Sequence, residues 1–319
     1  MHAAVLHALG EVPKYEEFPD PVAADGEAMV EIWAAALKPV DKQIATGLHY
    51  ASPRQLPAIC GTDGVGRLSD GRRVFFGGPR PPYGAMAERA AVRSMFMFPI
   101  PDNLSDELAA AIANPGVSAW LTLAVRAKVA AGERVLILGA TGVTGRLSVR
   151  IAKLLGAERV VAAGRNRSVL AALHKVGADA TIELDLPAEK LSAKFAHEAG
   201  KAGFNVVIDY VWGAPAEAFL KAITRNQFAA AEAETRYVQV GESAGASITL
   251  PAAVLRSTPI TIMGTAGIPS REVMVDAMEK VMAHAASGEL AIETERVPLA
   301  EIEDAWSRDP RGKRFVMVP

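Results

Sequence analysis

The sequence has 319 residues, half of them apolar, which is too much chain for one ordinary core, so two domains are expected. A net charge of −2, with Lys and Arg interspersed among Asp and Glu, excludes the electrostatic footprint of a nucleic-acid binder. A single cysteine, Cys60, excludes an intramolecular disulfide and a multi-cysteine zinc site, and it fits a cytoplasmic protein.

The N-terminal stretch MHAAVLHALGEVPKYEEF has no basic segment followed by an apolar one, so no secretory signal is expected. No window holds the uninterrupted apolar run of about 20 residues that a membrane span needs. Residues 1–112 read as an irregular β domain. Short apolar runs such as residues 28–34 (AMVEIWA) and 72–76 (RRVFF) lie between turn signals at Pro57, Gly61, Gly64, Gly66, Gly71, Gly77 and Gly78. Residues 106–127 are helical in composition, interrupted at Asn114-Pro115-Gly116. A strand–helix alternation follows. Strands are expected at residues 134–139, 159–163, 180–184, 206–211 and 237–240, with helices at 144–155, 168–176, 188–199 and 215–223. Short apolar strands alternating with helices predict an α/β fold with a parallel sheet covered on both faces. The alanine-rich run at 229–233 reads as helix or loop. The C-terminal part predicts a strand at 259–264, a helix at 272–284, a strand near 292–297, a short helix at 300–306 and a last strand at 314–318.

The most informative string is Gly139-Ala140-Thr141-Gly142-Val143-Thr144-Gly145, between an apolar strand and a helix. In that context Gly139 suits a tight turn, Gly142 leaves the backbone bare for a diphosphate, and Gly145 allows the helix to pack on the strand. The helix start offers unpaired N–H groups to phosphates. The spacing is G-x-x-G-x-x-G, so the simpler dinucleotide fingerprint is matched imperfectly, and the same string without a ligand is a glycine-rich turn. The next strand runs into Gly164-Arg165-Asn166-Arg167 with no carboxylate to accept from a ribose 2′-hydroxyl. A guanidinium suits a 2′-phosphate. Arg165, assisted by Asn166 or Arg167, therefore predicts NADPH over NADH, the alternative being solvated arginines at a strand end.

An ordered set of further motifs carries a resemblance over nearly the whole chain. They are Pro39-Val40-Asp41 with Thr46-Gly47, Pro57-Ala58-Ile59-Cys60-Gly61-Thr62-Asp63-Gly64-Val65-Gly66, and Gly116-Val117-Ser118-Ala119-Trp120. The glycine turn, Ile208-Asp209-Tyr210-Val211-Trp212-Gly213 and Gly312-Lys313 complete the set. With them the sequence resembles the medium-chain dehydrogenase/reductase superfamily, in particular its zinc-independent quinone oxidoreductase branch. The resemblance implies a Rossmann doubly wound parallel sheet (residues 113–252) inserted into a GroES-like β-rich catalytic domain (1–112 and 253–319). It implies a nicotinamide near Asn114, Ser118, Val211, Gly241, Met263 and Gly264, with the diphosphate along Thr141, Gly142, Val143 and Thr144. The implied substrate is a small molecule, a quinone or an α,β-unsaturated carbonyl, and the implied assembly is a homodimer joined along residues 259–264.

The departures matter as much. The zinc-dependent relatives carry a cysteine near the position of Val40 and Gly-His-Glu where this chain has Gly61-Thr62-Asp63, so no metal is expected. Cys60 is expected as a buried small hydrophobe and His49 as a solvated loop residue. Lys38 replaces the branch's usual asparagine. It either brings a cation to the substrate, stabilising an enolate-like oxygen, or pairs with Asp41 or points to solvent. Tyr50, in the loop that matches a substrate loop, carries a hydroxyl able to donate to a carbonyl. Ile182-Glu183-Leu184 lacks the tyrosine often found near a 2′-phosphate. Two other functions stay open: a cofactor-binding protein with little turnover, sensor-like or crystallin-like, and a secondary-alcohol dehydrogenase, disfavoured by the missing ligands.

Overall fold

Glycine and proline punctuation keeps the N-terminal elements short. In the computed structural model, which describes residues 1–224, 234–265, 267, 269–310 and 312–319, the first strands are β1 (His2–Leu6), β2 (Lys14–Glu17), β3 (Glu27–Ala36), β4 (Ala58–Ile59), β5 (Asp63–Arg67), β6 (Arg73–Gly77), β7 (Arg89–Arg93) and β8 (Met97–Pro99). Helix α1 (Pro39–Ala45) follows β3. Their pairings are antiparallel, with β1 between β2 and β4, and β3 bonded to both β5 and β7. Gly66 permits the β3–β5 approach, since a Cβ there would lie 2.1 Å from the Glu31 carbonyl oxygen.

Helix α2 (Asp106–Trp120) runs straight through Pro115 rather than breaking there. An internal proline costs a helix about 3 kcal/mol. Burial offsets that cost, for Ala109, Ala110, Ala111, Ile112, Ala113 and Val117 are all withdrawn from solvent. The helix then widens over Leu121–Arg126, where the Ala127 N–H donates to Thr122, five residues back, at 2.8 Å. Contrary to the sequence expectation, the stretch Asp106–Arg126 is long and apolar enough to cross a bilayer by length and composition. Its window is 67% buried within the protein, which accounts for the apolar composition.

The alternating region forms β9 (Arg134–Leu138), α3 (Val143–Leu154), β10 (Arg159–Gly164), α4 (Arg167–Leu173), β11 (Ala180–Glu183), α5 (Ala188–Ala199), β12 (Val206–Asp209), α6 (Gly213–Ile223), β13 (Thr235–Gln239), α7 (Ala252–Ser257) and β14 (Ile260–Gly264). The six strands are all parallel, in the order β11-β10-β9-β12-β13-β14. This is the doubly wound Rossmann order. Leu136, Leu138, Val161, Ile182, Phe195, Phe204, Val207, Phe219 and Tyr237 form its core. The run at 229–233 lies outside the described residues. Strand β12 stops at Asp209, two residues short of expectation, because that carboxylate captures the N–H groups of Val211 and Trp212.

After α8 (Arg271–Ala286), the chain adds β15 (Thr294–Pro298), α9 (Ile302–Ser307) and β16 (Arg314–Val318). Strand β16 lies between β15 and β3, so the C-terminal segment completes the seven-stranded sheet of the N-terminal one. Val297, Ile302, Phe315 and Met317 share a core with Val5, Val30, Ile32 and Phe76. The chain therefore divides into one unit of Met1–Asn114 with Met274–Pro319 and a second of Pro115–Val273. The second boundary falls well beyond residue 252, because β14 continues the parallel sheet through its bonds to β13.

Candidate functional site

A parallel sheet brings the carboxyl ends of its strands to one edge. In the second unit the sequence-predicted residues gather there. Thr141, Gly142, Val143 and Thr144 follow β9, Arg165, Asn166 and Arg167 follow β10, and Val211 follows β12. Gly241 follows β13, and Met263 and Gly264 end β14. Strand order reverses between β9 and β12, which is where such sheets open a ligand crevice. Gly139 sits at this point with φ +85°, and a Cβ on it would lie 2.9 Å from Val211 Cγ1 and 3.0 Å from Tyr210 Cβ. Asn114 and Ser118 lie one helical turn apart on α2; Asn114 is exposed, and the Ser118 carbonyl accepts the Thr122 hydroxyl at 2.7 Å.

The glycine turn has the shape its spacing predicts. Gly139 N–H and Ala140 N–H both donate to the Ala163 carbonyl, at 2.9 and 2.8 Å, which ties the turn to β10. A Cβ on Gly145 would meet the Gly139 oxygen at 2.3 Å, so only glycine allows α3 to start this close to β9. At Gly142 the nearest atom to such a Cβ is the Gly139 oxygen at 3.5 Å, so the backbone there stands clear, as a diphosphate cradle requires. The Arg146 Nε donates to the Thr141 carbonyl at 3.2 Å.

The residues after β10 divide their tasks. Arg165 is exposed and has no ion-pair partner among the described residues. Asn166 caps α4, its Oδ1 accepting from the Val169 N–H at 3.1 Å and the Ser168 hydroxyl at 2.7 Å. The Arg167 Nε binds Glu183 at 2.5 Å, and that hydrogen bond holds its guanidinium above the ordinary arginine value. Arg167 is thus committed to a neighbouring carboxylate.

Beneath the crevice, Asp209 is fully buried. It accepts from the backbone N–H of Val211 at 2.7 Å and of Trp212 at 2.9 Å, and from the Tyr237 hydroxyl. Burial pushes its carboxyl up from the usual range, against the opposing pull of those donors. The turn it holds is tight: Trp212 has φ +55°, and Gly241 approaches the Tyr210 carbonyl so closely that a Cβ would stand 2.7 Å away. The Tyr210 hydroxyl and the Ser148 hydroxyl pair at 2.7 Å, linking this turn to α3.

In the first unit, Lys38 lies among buried charges. Its side chain is 2% exposed; its ammonium donates to Asp63 Oδ1 at 2.9 Å and to the Ala36 carbonyl at 3.2 Å, and lies 3.3 Å from Asp41 Oδ2 as an ion pair. Burial works against the charge, but the two carboxylates outweigh it and hold the lysine above its ordinary value. Asp41 also caps α1 through the Lys38 N–H at 2.8 Å and accepts from the Thr62 N–H at 3.0 Å. Arg314 lies buried nearby, its Nη1 donating to the Leu37 carbonyl at 3.1 Å. Lys38 is therefore buried and paired internally with Asp63 and Asp41. Tyr50 is 98% exposed, with its ring beside His49 and its hydroxyl without a partner among the described residues. Cys60 is buried, and burial followed by the nearby Asp41 charge pushes its thiol up to about 12. Among the described residues no group of three or more His, Cys, Asp or Glu side chains is placed to hold a metal ion.

No family model matches the chain. A probable NADPH-dependent quinone reductase of Emericella nidulans is 28% identical over the full length of both proteins. The quinone oxidoreductase of Sus scrofa is 32% identical over 45% of this chain and 46% of its own. In structure, the Escherichia coli quinone oxidoreductase complexed with NADPH superposes over 100% of both chains with a TM-score of 0.82, at 21% identity, a likeness of fold. The chain is thus similar in sequence to quinone reductases over its full length, and in fold to a solved quinone oxidoreductase. Its Rossmann-ordered unit carries the glycine turn described above. The Tyr210–Ser148 link and the Asp209–Tyr237 pair had escaped the sequence reading, because residues 62 and 28 positions apart meet only through the sheet order.

Two outcomes follow from this geometry. Gly145→Ala should lower the thermal midpoint, at a cost of about 1–3 kcal/mol, because the new methyl meets backbone that cannot move aside; an unchanged midpoint would contradict the packing. Lys38→Met should cost about 3–5 kcal/mol by stranding buried charge. Burial already raises the Asp63 carboxyl and the ammonium opposes that rise, so without it Asp63 binds a proton more tightly folded than unfolded and stability falls as pH rises. Denaturant unfolding should show the deficit of the variant shrinking from pH 8 to pH 5, and an equal deficit at both would disprove the charge account.

Proposed function

We propose that this chain is an NADPH-dependent oxidoreductase that reduces quinones or α,β-unsaturated carbonyls without a metal ion. The observation that carries the reading is the open glycine turn at the strand-order reversal, joined by Arg165 and by no free carboxylate after β10. Bound NADPH would supply the hydride. The backbone of Thr141, Gly142, Val143 and Thr144 would hold the diphosphate, and Arg165 would pair with the 2′-phosphate. Asn166 would serve by capping α4, and Arg167 by neutralising Glu183. Asn114, Ser118, Val211, Gly241, Met263 and Gly264 would border the nicotinamide. Tyr50 is the proposed donor to the substrate carbonyl, since its hydroxyl is free. Lys38 is not proposed to touch substrate, because it is buried and paired with Asp63 and Asp41. The names of the relatives support the substrate class, and a cytoplasmic location accords with the lone buried cysteine.

Following NADPH oxidation over a panel of quinones and enones should reveal turnover. NADPH should bind more tightly than NADH, and Arg165→Glu should erase that preference, a loss of about tenfold or more. Equal affinity for the two cofactors in the unmutated protein would overturn the NADPH assignment. Binding without turnover on any panel member would favour the cofactor-binding alternative. One tightly held zinc per chain, lost together with activity, would overturn the metal-free mechanism.

We also infer a homodimer. Strand β14 ends the six-stranded sheet, so its outer N–H and C=O groups are open to pairing with a second copy. Light scattering should give a molar mass near twice that of the 33.6 kDa chain; a monomer would defeat the proposal.

A further inference from the structure

We propose that Arg146 is a second cation for the adenosine 2′-phosphate and a determinant of cofactor choice. The proposal rests on the NADPH reading above and adds to it a residue that lies just outside the glycine motif.

Arg146 is the fourth residue of α3, counted from Val143. Side chains there lean back toward the helix start, and its Nε reaches the Thr141 carbonyl at 3.2 Å. That bond anchors the stem of the side chain to the turn and leaves both terminal nitrogens to donate elsewhere. No carboxylate pairs with Arg146 among the described residues.

The other side of Thr141 faces the end of β10. A Cβ on Gly164 would lie 2.4 Å from Thr141 Cγ2 and 2.8 Å from its Oγ1, so the threonine side chain lies directly over Gly164. Arg165 is the next residue. Thr141 thus touches the residue before one unpaired arginine and bonds to the other.

The remaining charges at this corner are already matched. Glu183 stands opposite Gly164 in the β10–β11 register, where a bare carboxylate would repel a phosphate. Arg167 holds it at 2.5 Å. The third arginine of the corner is therefore spent on a counter-charge, and Arg146 and Arg165 are the two left for a ligand. A phosphate monoester carries close to two negative charges near neutral pH, and two guanidinium forks match it in charge and geometry.

The test measures dissociation constants for NADPH, NADH and 2′,5′-ADP by calorimetry on the full chain and on Arg146→Gln, Arg146→Lys, Arg165→Gln and the double Gln variant. Arg146→Gln should weaken NADPH and 2′,5′-ADP about tenfold or more and leave NADH within about twofold. The retained NADH binding doubles as proof of an intact fold. Arg146→Lys should recover part of the loss, and the double variant should lose less than the product of the single losses, because both side chains serve one phosphate. An equal loss for NADPH and NADH would assign Arg146 to the diphosphate and overturn the proposal. No loss in a protein that prefers NADPH would overturn it while leaving the NADPH reading intact. A parent protein that binds NADPH and NADH alike would overturn both.

Discussion

The site depends on how closely backbone can approach backbone at the carboxyl edge of the parallel sheet. Gly139 faces Val211 and Tyr210, Gly145 faces the Gly139 carbonyl, Gly164 faces Thr141, and Gly241 faces the Tyr210 carbonyl. Each would have to accommodate a Cβ within about 3 Å of another atom, a distance at which something must shift. Four bare positions therefore bring the ends of β9, β10, β12 and β13 together. The glycine turn, the arginines after β10 and the residues after β12 and β13 inherit their placement from this approach.

Buried charge fixes what the glycines bring close. Asp209 spends its carboxylate on two backbone N–H groups and a tyrosine hydroxyl, which tie down the turn after β12. Lys38, Asp41 and Asp63, with Arg314 close by, balance one another in the first unit, and Arg314 ties the last strand to Leu37. Networks of this kind add little net stability over a well-packed apolar core, and breaking one partner is far more costly than replacing them all. Here the network joins the N-terminal and C-terminal segments of a discontinuous unit in one register.

Local signals were strong for most elements. The helix Ala188–Ala199 and the strand Arg314–Val318 match their expected bounds, because their composition and flanking turns agree with their burial. Pro115 misled, since its helical cost is local whereas the burial that offsets it is tertiary. A boundary at 252 separates strand β14 from the sheet it ends, because pairing to β13 leaves no trace in its own residues. The carboxyl-edge residues were legible because each follows an apolar strand in a recognisable string. Arg146 was not, as a helix-surface arginine carries no signal until its partner at Thr141 is known.

The sequence by itself determined the α/β alternation, the glycine turn and the arginines after the second Rossmann strand, since each depends on side chains near in the chain and on the backbone freedom of particular residues. Only the tertiary structure decided the use of each charge. Lys38 lies 25 residues from Asp63, and Arg167 lies 16 from Glu183. Whether a cation is free for a ligand or occupied by a carboxylate depends on which strands lie side by side. That choice turns Arg167 into a counter-ion and leaves Arg165 exposed.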